Sequence, residues 1–114
     1  MGTPRYVVSD EHTLHRFLMD ESHVLSKTVV IAAGQGVLEA GTVLGKITAS
    51  GKYGVYNNAN VDGTETAKGL LKIKVDATAS DQTAALVFHA YVEEAKCTGV
   101  DAAAKADLPG IFWE

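Results

Sequence analysis

The side chains with the most reactive chemistry in this chain are Cys97, His89 and the neighbouring acids Glu93 and Glu94. A thiol, an imidazole and a carboxylate are the parts of a nucleophile, its general base and the group that orients the base. No signature of a known nucleophile surrounds them, and Cys97 beside Thr98-Gly99 reads more simply as a small packing residue. His12 and His15 lie three apart next to Asp10 and Glu11, and on a helix they could share a metal. No third or fourth ligand follows at a matching spacing, so these are read as solvated histidines with generic titration near neutrality. Lys72 and Lys74 have the side-chain type that a covalent carrier arm would use. A carrier lysine stands at the tip of a hairpin, whereas alternation with Leu71, Ile73 and Val75 places these two on the solvent face of a strand. Lysines there also discourage edge-to-edge pairing. The glycines at 41, 45, 51, 54, 63 and 69 do not follow the GxxxxGK[ST] spacing of a phosphate cradle and read as turn and bulge residues. The expectation is therefore no catalytic residue, no cofactor and no metal.

The elements that would have to position any site are short. A chain of 114 residues fits one domain, and 46% hydrophobic residues allow a real though not generous core. A net charge of −4 argues against direct nucleic-acid binding, which needs a basic face to release counterions from phosphate. Cys97 is the single cysteine, which excludes an internal disulfide. Asp10 and Glu11 follow Arg5 before any apolar run, unlike a secretory signal, and the longest purely apolar run is the five residues Val29 to Ala33. These features predict a protein made in the cytoplasm, with no membrane partner.

Residues 1–27 differ from the rest. They carry three of the four histidines, and their apolar residues come in small groups: Tyr6-Val7-Val8, Leu14, Phe17-Leu18-Met19 and Val24-Leu25. This composition predicts a flexible N-terminal arm with at most one helical turn, followed by a β-rich body over 28–114. In the body, Thr28 to Ala32 predicts the first strand. Thr42 to Thr48 and Tyr53 to Tyr56 predict a pair of strands around the turn Ala49-Ser50-Gly51-Lys52, and the asparagine-rich 57–63 a loop. Leu70 to Val75 predicts a strand with Leu71, Ile73 and Val75 inward. Thr83 to Val92 predicts the longest strand, with Leu86, Phe88, Ala90 and Val92 on one face; both faces are partly apolar, which suits a strand inside the sheet system or at a subunit contact. Thr98-Gly99-Val100-Asp101 has a capping-box pattern ahead of an alanine-rich helix from Asp101 to Ala106, stopped by Pro109-Gly110. The terminal Ile111-Phe112-Trp113 should dock on the body, since a free cluster of this kind would be a sticky patch. The fold class predicted is mainly β and compact, with one short C-terminal helix.

Several pieces in this order resemble one known family. They are Leu25-Ser26-Lys27, Ala40 to Thr48 (AGTVLGKIT), Gly51-Lys52-Tyr53, Asp62 to Leu71 (DGTETAKGLL), the Leu86 to Val92 strand and the closing helix with Pro109-Gly110-Ile111. Over about residues 25 to 113 the chain is similar to the lambda D-like head decoration proteins of tailed bacteriophages. The resemblance implies a β-clip fold and a homotrimer on the outer surface of the capsid, near local three-fold axes. It implies an arm that orders only on the shell by adding β-structure to the major capsid protein lattice. It implies a structural role in the virion, cementing the expanded head against the pressure of packaged DNA. The capsid-binding arm would use Tyr6, Val7, Val8, Leu14, Phe17 and Leu18. The arm is longer and more apolar here than in the lambda-type member, with Phe17-Leu18-Met19 in its middle. The alternative reading is a carrier or ligand-binding β domain of an enzyme complex, similar to biotinyl and lipoyl domains.

Overall fold

Branched side chains favour extended backbone, and the run Thr28-Val29-Val30-Ile31 forms most of the first strand. In a computed structural model that describes residues 24–114, this strand, β1, runs Leu25–Ile31. It is followed by β2 (Gly36–Leu38), β3 (Val43–Lys46), β4 (Tyr53–Val55), β5 (Ala67–Leu71), β6 (Val75–Ala77) and β7 (Gln82–Val92). A 3-10 turn at Glu94–Lys96, helix α1 (Ala102–Asp107) and β8 (Ile111–Trp113) complete the chain. The architecture is mainly β with one short helix near the C-terminus.

Five strands close on themselves. β7 pairs antiparallel with β1 and with β5; β5 pairs with β3, β3 with β4, and β4 returns to β1 through the parallel contact of Ile31 with Tyr53. Closure removes the open edges that would otherwise recruit other chains. β2 and β6 form a separate two-stranded ribbon. β8 adds to β7 in parallel, Ala90 opposite Ile111 and Val92 opposite Trp113.

The barrel strands bury both faces. Val29, Ile31, Leu44, Tyr53, Leu71 and Leu86 meet in one cluster, closed by Leu38 and Ala77 of the ribbon. Because every barrel strand contributes, this cluster is the barrel interior. Val43, Leu70 and Val87, each adjacent in sequence to an interior residue, point the other way. They pack with Ala90, Val92, Ile111 and the helical Ala104 and Leu108 in a second cluster. Each large side chain sealed in this way contributes about 1.5–3 kcal/mol.

Two close contacts hold the helix. Asp101 is its N-cap, accepting from the Ala104 N–H at 2.8 Å. The same carboxylate oxygen accepts from the Tyr56 hydroxyl at 2.8 Å. Burial, then the Asp101 hydrogen bond, push the Tyr56 hydroxyl up to about 12. At the other end Asp107 accepts from the Ala67 N–H at 3.0 Å, tying α1 to β5. Gly69 is a packing requirement: a Cβ there would lie 2.5 Å from the Val87 carbonyl oxygen and 2.8 Å from the Leu86 side chain.

Four expectations change. β1 starts at Leu25, so the last three residues assigned to the arm pair with β7. Leu70 to Val75 is not one strand. β5 ends at Leu71, the chain bends at Lys72-Ile73, and β6 leaves the barrel for β2, which leaves Ile73 exposed. Alternation is a local pattern and cannot report a change of pairing partner. The helix is capped by Asp101, and Thr98 instead bridges to Thr42. In β7, Leu86 lies in the barrel interior while Ala90 and Val92 lie in the outer cluster and Phe88 is exposed. The cause is a bulge: Ser26 faces Val87 but Leu25 faces His89, so Phe88 is an extra residue that reverses the phase of the strand.

Two expectations for stability follow. Gly69→Ala should destabilise by about 1–3 kcal/mol or more, read as a lower midpoint in chemical denaturation; a neutral outcome would mean the β5–β7 approach is looser than described. Hydrogen bonds from Thr64, Thr78 and the Lys52–Ala33 pair hold Asp62, Asp76 and Asp81 below the ordinary carboxylate value. Their contribution is present above about pH 4 and fades as pH falls. Tyr56 acts oppositely, contributing fully below about pH 10 and losing its contribution as pH rises towards about 12. Denaturation midpoints against pH should therefore fall at both ends, and Tyr56→Phe should remove part of the alkaline limb only.

Candidate interaction surface

The bulge at Phe88 decides which side chains of β7 meet solvent. Beyond it Ala90 and Val92 turn to the outer cluster, and His89 and Tyr91 turn away from it. Tyr91 is 41% exposed. β8 follows the same alternation: Ile111 is buried and Phe112 is 40% exposed. Phe112 stacks on Tyr91 with ring centroids 4.8 Å apart and meets His89 edge-on at 5.7 Å. Such ring pairs contribute about 0.5–1.5 kcal/mol beyond their burial. Leu25, the register partner of His89, projects from the same face and is 52% exposed. Leu25, His89, Phe112 and Tyr91 thus form one apolar strip across β1, β7 and β8. Leu25 follows directly on Val24, the first described residue, whose own side chain packs on the outer cluster.

The remaining candidates for chemistry are engaged elsewhere. Burial first, then Glu94 and Glu93, push the Cys97 thiol up to about 12, the reverse of what activates a nucleophile. Its Sγ–H donates to the Glu93 carbonyl at 3.4 Å. The Glu93 carboxylate pairs with Lys96 at 3.3 Å and that of Glu94 with Lys105 at 2.7 Å. The His89 ring packs on Phe112. Lys74 reaches Glu39 at 3.5 Å, and Lys72 sits in the bend after β5. Tyr6, Val7, Val8, Leu14, Phe17 and Leu18 lie outside the described residues, as do His12 and His15.

The strip itself was only half legible. The double-sided apolarity of 83–92 and the Ile-Phe-Trp terminus pointed to a contact surface. The bulge that gathers Leu25, His89, Tyr91 and Phe112 has no local sequence mark.

The profile of bacteriophage lambda head decoration protein D matches residues 7–108. The chain belongs to this family. The match runs from the residues before β1 through α1 and stops short of β8. No curated relative matches the chain. Membership makes this a structural protein of the bacteriophage head that decorates the capsid, and its association is with that capsid.

The Trp113 indole N–H is buried without an acceptor among the described residues. An orphaned donor of this kind costs about 1–3 kcal/mol. Trp113→Phe keeps most of the ring packing and removes the donor, so the thermal midpoint should hold or rise; a clear fall would show that the N–H has a partner.

Proposed function

We propose that this decoration protein sits as a trimer on the outer surface of the expanded head, grips the major capsid protein lattice with its N-terminal arm and stabilises the shell against the pressure of packaged DNA. The observation that carries this reading is the family match from residue 7 onward, which takes in the arm together with the body.

The physics of the arm suits the task. Fixing an extended segment costs about 1–2 kcal/mol per residue in backbone entropy. Strand addition offsets that cost with main-chain hydrogen bonds and with pockets for alternate side chains. Tyr6-Val7-Val8 is the best strand-adding segment, with Leu14, Phe17 and Leu18 as further apolar contacts. Three arms on one trimer raise each other's effective concentration, so contacts that are weak singly hold a shell together. The body suits it too: its five barrel strands pair into a closed ring, which leaves strand edges only on β8 and on the β2–β6 ribbon.

Mixing the protein with expanded, undecorated capsids and sedimenting the shells tests this reading. Full-length chain should co-sediment and raise the temperature at which shells rupture. A chain lacking residues 1–23 should keep its folded body and be lost from the pellet. Equal occupancy by the two chains would contradict gripping by the arm, and no binding by the full chain would contradict the decoration reading as a whole.

A further inference from the structure

Lys52, Lys74, Lys96 and Lys105 each pair with a carboxylate. Lys46 and Lys68 have no such partner among the described residues, yet both line one open cavity of about 380 Å³, together with Thr48, Gly63, Glu65 and Thr66. Glu65 does not neutralise them. Its Oε1 accepts from the Gly63 N–H at 2.8 Å, and it forms no ion pair with either lysine.

Three features of the fold build this arrangement. Leu44 faces Gly69 but Gly45 faces Ala67, so Lys68 is an extra residue, a bulge in β5. A bulge re-aims the side chain it carries. Two glycines then let the 62–66 turn lie against β3. A Cβ on Gly45 would lie 2.6 Å from the Thr64 Cα, and one on Gly63 would run into the Lys46 carbonyl oxygen. Thr64 is buried and anchors the turn: its hydroxyl donates to Asp62 at 2.6 Å and accepts from the Asn60 amide at 2.8 Å. The wall of the cavity is fixed while its two ammonium groups stay unneutralised. Two lysines and one glutamate leave it one positive charge, in a chain whose net charge is −4. A monoanion balances that charge. A doubly charged phosphate would exceed it and would face the Glu65 carboxylate. The ammonium groups and the hydroxyls of Thr48 and Thr66 can donate to both oxygens of a carboxylate.

We propose that the cavity between β3 and the 62–66 turn is a socket for one carboxylate, and that in the decorated head this carboxylate is an acidic side chain of the capsid. The first half is a property of the free protein. The second rests on the capsid association that the family gives.

Amide spectra of the full chain at low ionic strength, titrated with the α-amide of N-acetyl-glutamic acid, test the first half. The amides of Gly63, Glu65, Thr66 and Lys68 should shift and saturate, and sodium chloride at equal ionic strength should not reproduce the effect. The double variant Lys46→Gln, Lys68→Gln removes two exposed charges without breaking an ion pair of the described residues, and it should lose the saturation. No saturation in the parent, an equal response in the double variant, or tighter binding of inorganic phosphate would overturn the socket. Co-sedimentation with expanded capsids tests the second half. The same double variant should bind roughly fivefold more weakly than the parent. Lys27→Gln, Lys72→Gln, which removes equal charge outside the cavity, should bind like the parent. Equal losses would mean general charge attraction, and full affinity in the first variant would mean that no capsid carboxylate enters the socket; either result overturns the second half. A parent chain that saturates with the probe but ignores the shells would overturn the decoration reading and the second half with it, while the socket stands.

Discussion

Leu86 and Val87 are adjacent in the chain, and both are sealed from water on opposite sides of one strand. That double burial organises the molecule. It requires a filled interior on one side, supplied by β1, β3, β4 and β5, and a lid on the other, supplied by α1 and β8. It also explains why Gly69 faces this point, since β5 must approach β7 closely enough to leave no room for a methyl group. One residue later the bulge at Phe88 reverses the strand, and apolar rings that would otherwise have been buried emerge on the surface. Core and contact surface are thus two consequences of a single strand changing phase.

The groups with chemical potential are tied into this scaffold. The thiol of Cys97 is held protonated by burial and by two acids that are themselves paired with lysines. Asp62, Asp76 and Asp81 are occupied in holding turns and the Lys52 contact. Asp101 is shared between a helix cap and a tyrosine hydroxyl. What the body presents outward is an apolar strip beside the point where β1 begins.

The parts that could be read in advance are those whose cause is local. Branched residues at 28–31 make a strand, alanines at 102–106 make a helix, Pro109-Gly110 ends it, and Ile111-Phe112-Trp113 is too apolar to hang free. The parts that could not be read depend on distant partners. Lys72-Ile73-Lys74 keeps a strand-like alternation through a bend, because β6 pairs with β2 and not within the barrel. Asp101 outcompetes Thr98 as a cap because Thr98 is drawn into a bridge with Thr42. The bulge at Phe88 is visible only once Leu25 and Ser26 are set opposite β7. The arm residues lie outside the described part of the chain, and their role rests on composition, on the family and on the physics of tethered strands.

The central proposal is that the β body delivers an N-terminal arm that becomes ordered on the shell. A reconstruction of expanded heads saturated with the protein tests it most directly. The account predicts continuous density for residues 6–8 running as an added strand along the capsid protein, with three bodies around each local three-fold axis. Well-defined bodies seated on the shell with no density for the arm, or an arm that stays wholly on its own body in the decorated head, would contradict it.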